Sequence, residues 1–438
     1  MSFPRYPKYK DSGVEWLGQV PEHWNSGSVR WLTRRYAGGT PDKTNFSFWD
    51  NGTVPWINSG SVNDRLIKEP SAYITEAALE NSSARWIPEG SLVMALAGQG
   101  KTKGMVAQLG IPTTCNQSMA AIVPGTEIGA RFLLWWLESN YENIRNLAGG
   151  DLRDGLNLEL VGNISCPLPT KPEQTAIAEF LDRETAKIDV LIAEQQRLME
   201  LLKEKRQAVI SHAVTKGLNP NAPMKPSGIE WFAEVPHHWQ QGPLKRYWEV
   251  IDCKHVTVPF LEQGIPVASV MEVRSFELDL SQALKTSEES FRLLSDGGRQ
   301  PVCGDVIYCR NTANTGTSAF VGTEQKIALG QDVCLIKSSG RNGRYLNYIL
   351  HSGFMAAQLD TLMVGSTFKR INVAEIRGLL VPCPPKPEQD GIAVFLDVES
   401  AKFDTLIAEA QRAIDLLQER RSALISAAVT GQIDVRNT

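Results

Sequence analysis

Residues 171–182, KPEQTAIAEFLD, decide the architecture of this chain because they return as KPEQDGIAVFLD at residues 386–397. The offset between the two copies is 386 − 171 = 215 residues in a chain of 438. The same offset relates SGVEW at residues 12–16 to SGIEW at residues 227–231. Motifs that recur in the same order at a constant interval predict a tandem duplication.

The repeated ends enclose two segments that differ strongly in sequence. A further motif, HW at residues 23–24, returns as HW at residues 238–239, again 215 residues later. Between these ends and the KPEQ motifs, residues 30–165 and 246–380 share little sequence. We therefore predict two domains that have a common fold and different surfaces.

Each KPEQ motif predicts the start of a long helix. Pro172 suits the first turn, and Glu173 suits the positive end of the helix dipole. No Gly or Pro interrupts either run before Thr215 and Thr430, except Gly391 in the first turn of the second run. Roughly 40 helical residues span about 60 Å. Apolar residues at heptad-like spacing predict the packing face: Leu181, Ile188, Leu191, Leu198, Leu202 and Val209, then Leu396, Phe403, Leu406, Leu417 and Leu424.

The apolar stripe on each helix requires a partner. The other helix is the nearest candidate, and charged residues on the opposite face, such as Glu194, Arg197 and Glu200, favour an exposed helix pair. The alternative is that each helix packs only on its own globular domain.

The two middle segments predict an α+β fold. Short apolar runs separated by Gly, Asn and Pro are typical of strands joined by turns. The predicted strands lie at 53–57, 92–96, 120–123, 302–309 and 332–336, and the predicted helices at 131–140 and 344–352.

Composition limits the class of protein. The chain has 45 Lys plus Arg against 49 Asp plus Glu, 42% hydrophobic residues and 21% charged residues, which is typical of a soluble globular protein of two or more domains. The sequence shows neither a signal peptide nor an apolar run of about 18 residues, so we predict no membrane segment. Seven Cys without a C-x-x-C motif argue against a disulfide framework or a zinc ribbon and favour a cytoplasmic location. The net charge of −4 argues against a simple basic DNA-binding domain.

At these motifs the chain resembles the DNA specificity subunits of type I restriction-modification systems. The resemblance rests on the doubled KPEQ helix start, the lead-in before each HW motif, the turn Gly38-Gly39-Thr40-Pro41 and the pair Pro55-Trp56. It covers essentially the whole chain in the family's order. The second copy has no evident GGTP turn, so that turn is not expected in the second domain.

The resemblance implies a DNA reader without catalytic activity. Two similar target recognition domains in a pseudo-twofold arrangement would each read half of a bipartite site in double-stranded DNA, separated by an antiparallel coiled coil of the two long helices. It also implies two modification subunits that use S-adenosylmethionine. Restriction subunits that use ATP and Mg²⁺ for translocation and cleavage are implied as well. No cofactor or metal is expected in this chain.

The resemblance suggests four segments. Residues 1–170 form the first target recognition domain with its lead-in at 1–24, and residues 171–217 form the central spacer helix. Residues 218–385 form the second domain with the repeated lead-in at 225–239. Residues 386–438 form the C-terminal helix and tail.

Polar loops in both middle segments are the candidate DNA contacts, because Arg, Lys, Asn and Gln read base edges while cations and hydroxyls bind phosphates. For any single residue, an ordinary solvated loop is an equally good interpretation. The candidates are Asn58, Ser61, Gln99, Lys101, Thr102, Lys103 and Arg153 in the first domain, and Arg310, Asn311, Asn314, Lys369 and Arg370 in the second.

Two other functions remain open at this point. Gly100-Lys101-Thr102 imitates the end of a phosphate-binding loop, as in an NTPase or a self-sufficient nuclease, but the required earlier Gly is replaced by Ala95. A coiled-coil adaptor that binds protein and not DNA is the other alternative.

Overall fold

The computed structural model describes residues 3–14, 17–98, 101–147, 155–311, 316–338, 340–362 and 370–436. The chain divides into two compact units: unit 1, residues 1–195 and 412–438, and unit 2, residues 196–411. Both divisions fall inside long helices, so each unit holds the first part of one long helix and the last part of the other. The four sequence segments cut the chain at different places, and their boundaries stay a prediction.

The elements of the first half of the chain precede and include the first long helix. The strands are β1 Tyr9–Asp11, β2 Gln19–Pro21, β3 Asn25–Ser28, β4 Thr33–Ala37, β5 Val54–Ile57, β6 Leu66–Ile67, β7 Ala72–Ile74, β8 Leu92–Ala95, β9 Val106–Leu109, β10 Thr114–Cys115, β11 Met119–Pro124 and β12 Ser165–Leu168. The helices are α1 Val29–Leu32, α2 Glu76–Glu80, α3 Ala130–Ser139, α4 Tyr141–Asn146, α5 Leu158–Asn163 and α6 Lys171–Lys216.

The second half repeats this order. The strands are β13 Met224–Ile229, β14 Phe232–Pro236, β15 Gln240–Pro243, β16 Glu249–Asp252, β17 Ile265–Ala268, β18 Phe276–Glu277, β19 Lys285–Thr286, β20 Val306–Cys309, β21 Ser318–Phe320, β22 Ala328–Leu329, β23 Val333–Lys337 and β24 Leu380–Cys383. The helices are α7 Glu288–Ser295, α8 Gly343–Leu350, α9 Gly353–Leu362, α10 Val373–Gly378 and α11 Lys386–Val429.

The two units have the same sheet topology. Unit 1 has a five-stranded sheet in the order β4-β11-β8-β9-β6, and unit 2 has β16-β23-β20-β21-β18. A three-stranded sheet accompanies each, β10-β5-β7 and β22-β17-β19. The predicted α+β class, the predicted strands and the two long helices are confirmed. The middle segments therefore share a fold although their sequences differ.

In each unit, the repeated HW motif contacts the repeated KPEQ motif through hydrogen bonds. In unit 1, His23 Nε2 lies 2.8 Å from Glu173 Oε1, and the Trp24 indole also donates to that oxygen. In unit 2, His238 lies 2.6 Å from Glu388, and Trp239 donates to Glu388 Oε2 at 2.9 Å. We call this His-Trp-Glu arrangement the latch. It fixes the lead-in to the first turn of a long helix.

Hydrogen bonds compensate for the burial of Glu173 in the latch of unit 1. Burial by itself would raise the pKa of this carboxyl, but hydrogen bonds from His23, Thr170 and Trp24 outweigh it, so the pKa is lowered. The neighbouring Gln174 accepts from the Gly129 N–H at 2.7 Å, just before α3. The motif thus secures both the lead-in and the domain helix to α6.

The long helices run in opposite directions within each unit. In unit 1, Trp24 contacts both Glu173 at the start of α6 and Gly431 just beyond the end of α11. Further along, Asp189 pairs with Arg421 at 2.9 Å. In unit 2, Trp239 similarly contacts Glu388 and Gly217. These contacts satisfy the predicted antiparallel pairing.

An ion pair also marks the helix register in unit 2, where Arg206 and Asp404 approach to 2.7 Å. Less exposed residues recur on each helix at alternating steps of four and three, the pattern of a coiled coil. We call this line the seam: Ile188, Ile192, Gln195, Met199, Leu202, Arg206 and Val209 in α6, then Phe403, Ile407, Ala410, Ile414, Leu417, Arg421 and Leu424 in α11.

The seam corrects part of the predicted packing face. Leu191, Leu198 and Leu406 are 45%, 43% and 46% exposed, so their assignment to the packing face is wrong. Leu191 lies three positions after Ile188, but the next residue of the seam is Ile192, four positions after Ile188. The other predicted packing residues are buried (Leu181, Ile188, Leu396, Phe403) or half-buried (Leu202, Val209, Leu417, Leu424).

One half-buried histidine should make the stability of unit 2 depend on pH. His351 Nε2 lies 2.9 Å from the Ser318 carbonyl oxygen, and its ring stacks on Phe276 with centroids 4.0 Å apart. Burial lowers the pKa of His351 from 6.5 to about 4. As the pH falls, the unfolded chain therefore binds this proton before the folded chain does. The stabilisation by neutral His351 is complete above about pH 6.5 and is lost toward pH 4, a change of about 3 kcal/mol.

We expect His351→Gln to reduce this pH dependence. Urea denaturation at pH 7 and pH 4.5 should show a smaller difference for the variant than for the wild type. His212→Gln is the matched control, because His212 is exposed. A variant that keeps the full wild-type pH dependence would show that His351 is not responsible.

Candidate functional site

In each unit, the same loops meet at one end of the five-stranded sheet. In unit 1, the backbone N–H of Leu96 donates to Ser118, and the Leu96 carbonyl accepts from Leu156 at 2.7 Å. In unit 2, the N–H of Arg310 donates to Asp332, and its carbonyl accepts from Ile371 at 3.1 Å. Leu96 and Arg310 directly follow the equivalent strands β8 and β20. These loops contain most of the predicted contact residues, so we treat them as the candidate site.

Arg310 lies inside the site of unit 2 and connects two of its segments. Its side chain is only 7% exposed and pairs with Asp252, while its Nε donates to the Ile371 carbonyl at 3.3 Å. It occupies the position that the buried Leu96 has in unit 1. The structure therefore places this predicted contact residue in a buried ion pair, and direct DNA contact by Arg310 stays a prediction.

Asp252 connects Arg310 to the surface. The His255 ring nitrogen lies 3.2 Å from Asp252 Oδ2, while Arg310 approaches Oδ1. Burial alone would raise the pKa of Asp252, but the hydrogen bond from His255 and the charge of Arg310 outweigh it, so the pKa is lowered. Asp252 is therefore ionised at neutral pH and neutralises Arg310.

A second carboxylate holds the more exposed polar residues of unit 2. Asp332 Oδ1 pairs with Arg370 at 2.7 Å, and Asp332 Oδ2 accepts from the Asn311 amide at 3.2 Å. The Arg370 side chain is 48% exposed. The structure thus brings together three predicted contact residues, Arg310, Asn311 and Arg370, around two carboxylates. The loop has nearly balanced charge, which suits selective hydrogen bonding better than non-specific attraction to phosphates.

Cys253 adds a third potential metal donor beside Asp252 and His255. The donor atoms of these three residues all lie within 4.8 Å of one another. Burial raises the pKa of the Cys253 thiol, and Arg310 already occupies one oxygen of Asp252. Both features disfavour a cation, and the arrangement is that of a hydrogen-bonded turn.

The GGTP turn occupies the equivalent position in unit 1. A Cβ on Gly38 would lie 2.1 Å from the Cys115 carbonyl oxygen, so no other residue fits there. The Trp56 indole donates to the Gly39 carbonyl at 3.0 Å, and the Thr40 hydroxyl donates to Gln117. Both motifs, GGTP and PW, therefore build one wall of the site. In unit 2, Cys253-Lys254-His255 replaces the turn, as expected from the sequence.

The predicted cationic loop of unit 1 is only partly accessible. Lys101 is exposed, Thr102 is half-buried, and Lys103 is 3% exposed. The Tyr141 hydroxyl donates to the Lys101 carbonyl, which holds the loop against α4. Lys101 and not Lys103 is the lysine that this loop presents to solvent.

The turn after β5 borders the same region. The Asn58 side chain accepts from the Gly60 N–H at 2.8 Å and thereby caps a short 3₁₀ turn. The Ser61 hydroxyl lies 2.8 Å from that of Ser71. Asn63 from this turn and Lys101 line a common cavity of about 350 Å³. The two predicted loops of unit 1 are thus neighbours, with Asn58 and Ser61 partly engaged in local hydrogen bonds.

Four predicted contact residues, Gln99, Arg153, Asn314 and Lys369, lie outside the described residues. Other polar residues of the site were missed by the sequence analysis, among them Gln117, Asp252, His255 and Asp332. Their only sequence signal is a position next to a strand end, and the register that joins those ends becomes visible only in the folded sheet.

The sequence matches the family described as "Type I restriction modification DNA specificity domain" over residues 29–200 and 297–414. The chain belongs to this family. The matched ranges comprise more than half of the chain and contain the loops of unit 1 and the loops around Arg310, Asp332 and Arg370 in unit 2.

Full-length relatives carry the same designation. The chain is 21% identical over 434 residues to the type I restriction enzyme MjaIX specificity subunit of Methanocaldococcus jannaschii, covering 96% of this chain and 95% of the relative. It is 23% identical over 434 residues to the StySPI specificity subunit of Salmonella potsdam, covering 95% and 90%. A shorter match, 30% over 169 residues, joins 36% of this chain to 42% of the Escherichia coli EcoR124I/EcoR124II specificity subunit.

Solved structures show the same fold. A chain from a structure of the type I restriction-modification system aligns with a TM-score of 0.73 at 15% identity, covering 94% of this chain and 98% of that chain. The HsdS subunit from Thermoanaerobacter tengcongensis aligns with a TM-score of 0.55 at 15% identity and the same coverage. Among the described residues, no helix has both the length and the apolar character needed to cross a bilayer.

Proposed function

We propose that this specificity subunit selects a bipartite site in double-stranded DNA, with one half read by each unit. The observation that carries the proposal is the pair of sites with equivalent loops and different residues. Lys101, Asn58 and Gln117 belong to the site of unit 1, whereas Asn311 and Arg370 belong to that of unit 2. A common frame with different polar groups can recognise two different base sequences.

The two long helices would connect the readers and hold them at a defined spacing. The repeated lead-in and helix segments of the two units would each dock one copy of one partner, the modification subunit. The relatives are named as parts of type I restriction enzymes, which supports this assignment of partners. Restriction subunits would join the same assembly.

Catalysis would reside in the partner subunits. In this proposal, the modification subunits bind S-adenosylmethionine, and the restriction subunits use ATP and Mg²⁺. This chain would hold none of these groups. The NTPase and adaptor alternatives find no support among the relatives named above, which are specificity subunits.

The charge distribution favours a reader that works inside a complex. Residues 1–170 contain 15 basic and 16 acidic residues, and residues 218–385 contain 16 of each. Non-specific DNA binding depends on neutralising phosphates with Lys and Arg. We infer that the partners supply most of that neutralisation and that this chain supplies base selection.

Reconstitution with purified subunits tests the proposal. The chain alone should neither methylate nor cleave DNA and should not bind it with a steep salt dependence. Addition of modification subunits and S-adenosylmethionine should give methylation at one specific site. A complex without this chain is the control. Turnover by the chain alone, abolished by Lys101→Ala, would overturn the proposal.

A further inference from the structure

The latches of the two units differ in what covers them. In unit 1, Tyr6 is 3% exposed, and its ring centroid lies 5.6 Å from that of His23 and 5.7 Å from that of Trp24. Burial, and then the nearby Glu173 carboxylate, raise the pKa of the Tyr6 phenol. Arg436 from the C-terminal tail lies over the Tyr6 ring and 3.9 Å from Glu173. As a result, the Glu173 side chain is only 5% exposed.

The segment that carries Tyr6 also covers α6. The Phe3 ring packs edge-on against Phe180, with centroids 5.2 Å apart, and Phe180 is 2% exposed. Two aromatic residues three positions apart, Phe3 and Tyr6, therefore cover the start of α6 together.

In unit 1, both the N-terminal segment and the C-terminal tail lie beside the latch. In unit 2, only the segment that follows Gly217 lies there. Gly217 and Gly431 both have φ near +74° and contact the Trp of their latch. After Gly217, the Asn219 side chain accepts from the N–H of Asn221, as the Asp434 side chain accepts from the N–H of Arg436. The chain then continues directly into β13. The segment thus follows the course of the C-terminal tail, and the part played by Phe3 and Tyr6 has no counterpart in it.

The uncovered surface of unit 2 is open to solvent. The Glu388 side chain is 41% exposed, and Phe395, the counterpart of Phe180, is 37% exposed. A cavity of about 420 Å³ borders His238 and Glu388. A second cavity of about 580 Å³ borders His212 and Phe395, and both cavities include Gly217 and Leu218 in their walls. We call the surface formed by His238, Glu388, Leu218 and Phe395 the open latch surface.

We propose that the open latch surface binds an extended segment of a partner protein that carries two aromatic residues three positions apart, the second a tyrosine. The first ring packs on Phe395, and the phenol donates to Glu388. Unit 1 shows the chemistry that fits, because the chain itself supplies Phe3, Tyr6 and the guanidinium of Arg436 there. Glu388 is available to the phenol, since among the described residues it contacts His238 and Trp239 but no Lys or Arg. This interaction is independent of DNA reading.

A peptide with the sequence of residues 3–9, FPRYPKY, is a suitable probe of the full-length chain. Fluorescence anisotropy of the labelled peptide should show saturable binding with one site per chain. Glu388→Gln should weaken binding about tenfold, because hydrogen bonds to charged groups are among the strong ones. Glu409→Gln, an exposed carboxylate on the same helix, is the matched control and should leave binding unchanged.

Phe395→Ser provides a second variant outside the latch hydrogen bonds, so the test does not depend on the folding of Glu388→Gln. It should also weaken binding, as should peptides in which Tyr6 is replaced by Phe or Phe3 by Ala. The proposal is overturned if the peptide does not saturate at millimolar concentration. It is also overturned if neither Glu388→Gln nor Phe395→Ser affects binding, which would indicate that the peptide displaces the chain's own N-terminal segment in unit 1.

Discussion

Exchanging residues 29–164 for the corresponding segment of a relative should change one half of the methylated DNA site and leave the other half intact. The structure defines these junctions: β3 and β12 form a two-stranded sheet that closes the base of the domain. Junctions after Ser28 and before Ser165 keep that sheet, the latch and both long helices. The donor segment then brings its own loops to the same frame.

The expected change in DNA specificity is large, because each base contact contributes separately to the free energy of binding. Each mismatched base pair costs about 1–3 kcal/mol, roughly additively. Several mismatches in one half should therefore abolish recognition of the old half by the exchanged unit. The donor segment must retain partners for Asp182 and Gln174 on α6, which bind Arg131 and the Gly129 N–H in this chain.

The reciprocal exchange is the control. β15 and β24 close the base of the second domain in the same manner. Replacement of residues 244–379 should change only the other half of the site. Sequencing of methylated bases reads both outcomes, and a change of both halves after either exchange would show that the units do not read independently.

Removing one heptad from both long helices should bring the two half-sites closer. Asp189 pairs with Arg421 and Arg206 pairs with Asp404, so equal lengths of the two helices lie between these pairs. Deletion of residues 196–202 and 408–414 keeps both ion pairs in register and preserves the seam, because seven residues are one coiled-coil repeat. About 10 Å of helix is lost.

That length corresponds to at most about 3 base pairs at 3.4 Å per step. The shift is smaller where the helix axis is inclined to the DNA. Deletion of residues 196–202 alone is the control: it places the pairs out of register, and we expect loss of the stable fold by circular dichroism. A double deletion that methylates the original spacing would show that the helices do not set it.

The order and spacing of the repeated motifs predicted much of the architecture, because both can be read from the linear sequence without knowledge of tertiary contacts. The KPEQ motif located both helix starts, and Lys171 and Lys386 begin α6 and α11. The seam could be predicted only in part. Leu191 and Ile192 lie three and four positions after Ile188, and either residue fits the apolar face of a helix. The partner helix decides which of them is covered.

The candidate site was harder to predict because it depends on strand register. Arginine is a residue type that commonly reads DNA bases. Arg310, however, follows β20 at a position that is buried in both units. Asp252 and Asp332, which hold the arginines of unit 2, lie far apart in sequence and come together only through the pairing of β16, β23 and β20. The latch carboxylates Glu173 and Glu388 belong to the KPEQ motifs, but the histidines that contact them, His23 and His238, lie 150 positions earlier in the chain.

We expect the two units of this chain to select two separate sequences in DNA. The decisive measurement is the sequencing of methylated bases in host cells that carry the complete system, with and without this gene. We expect one methylated motif with two specified halves separated by an unspecified spacer, and loss of that methylation when the gene is removed. A single continuous motif, or methylation that persists without the gene, would contradict this expectation.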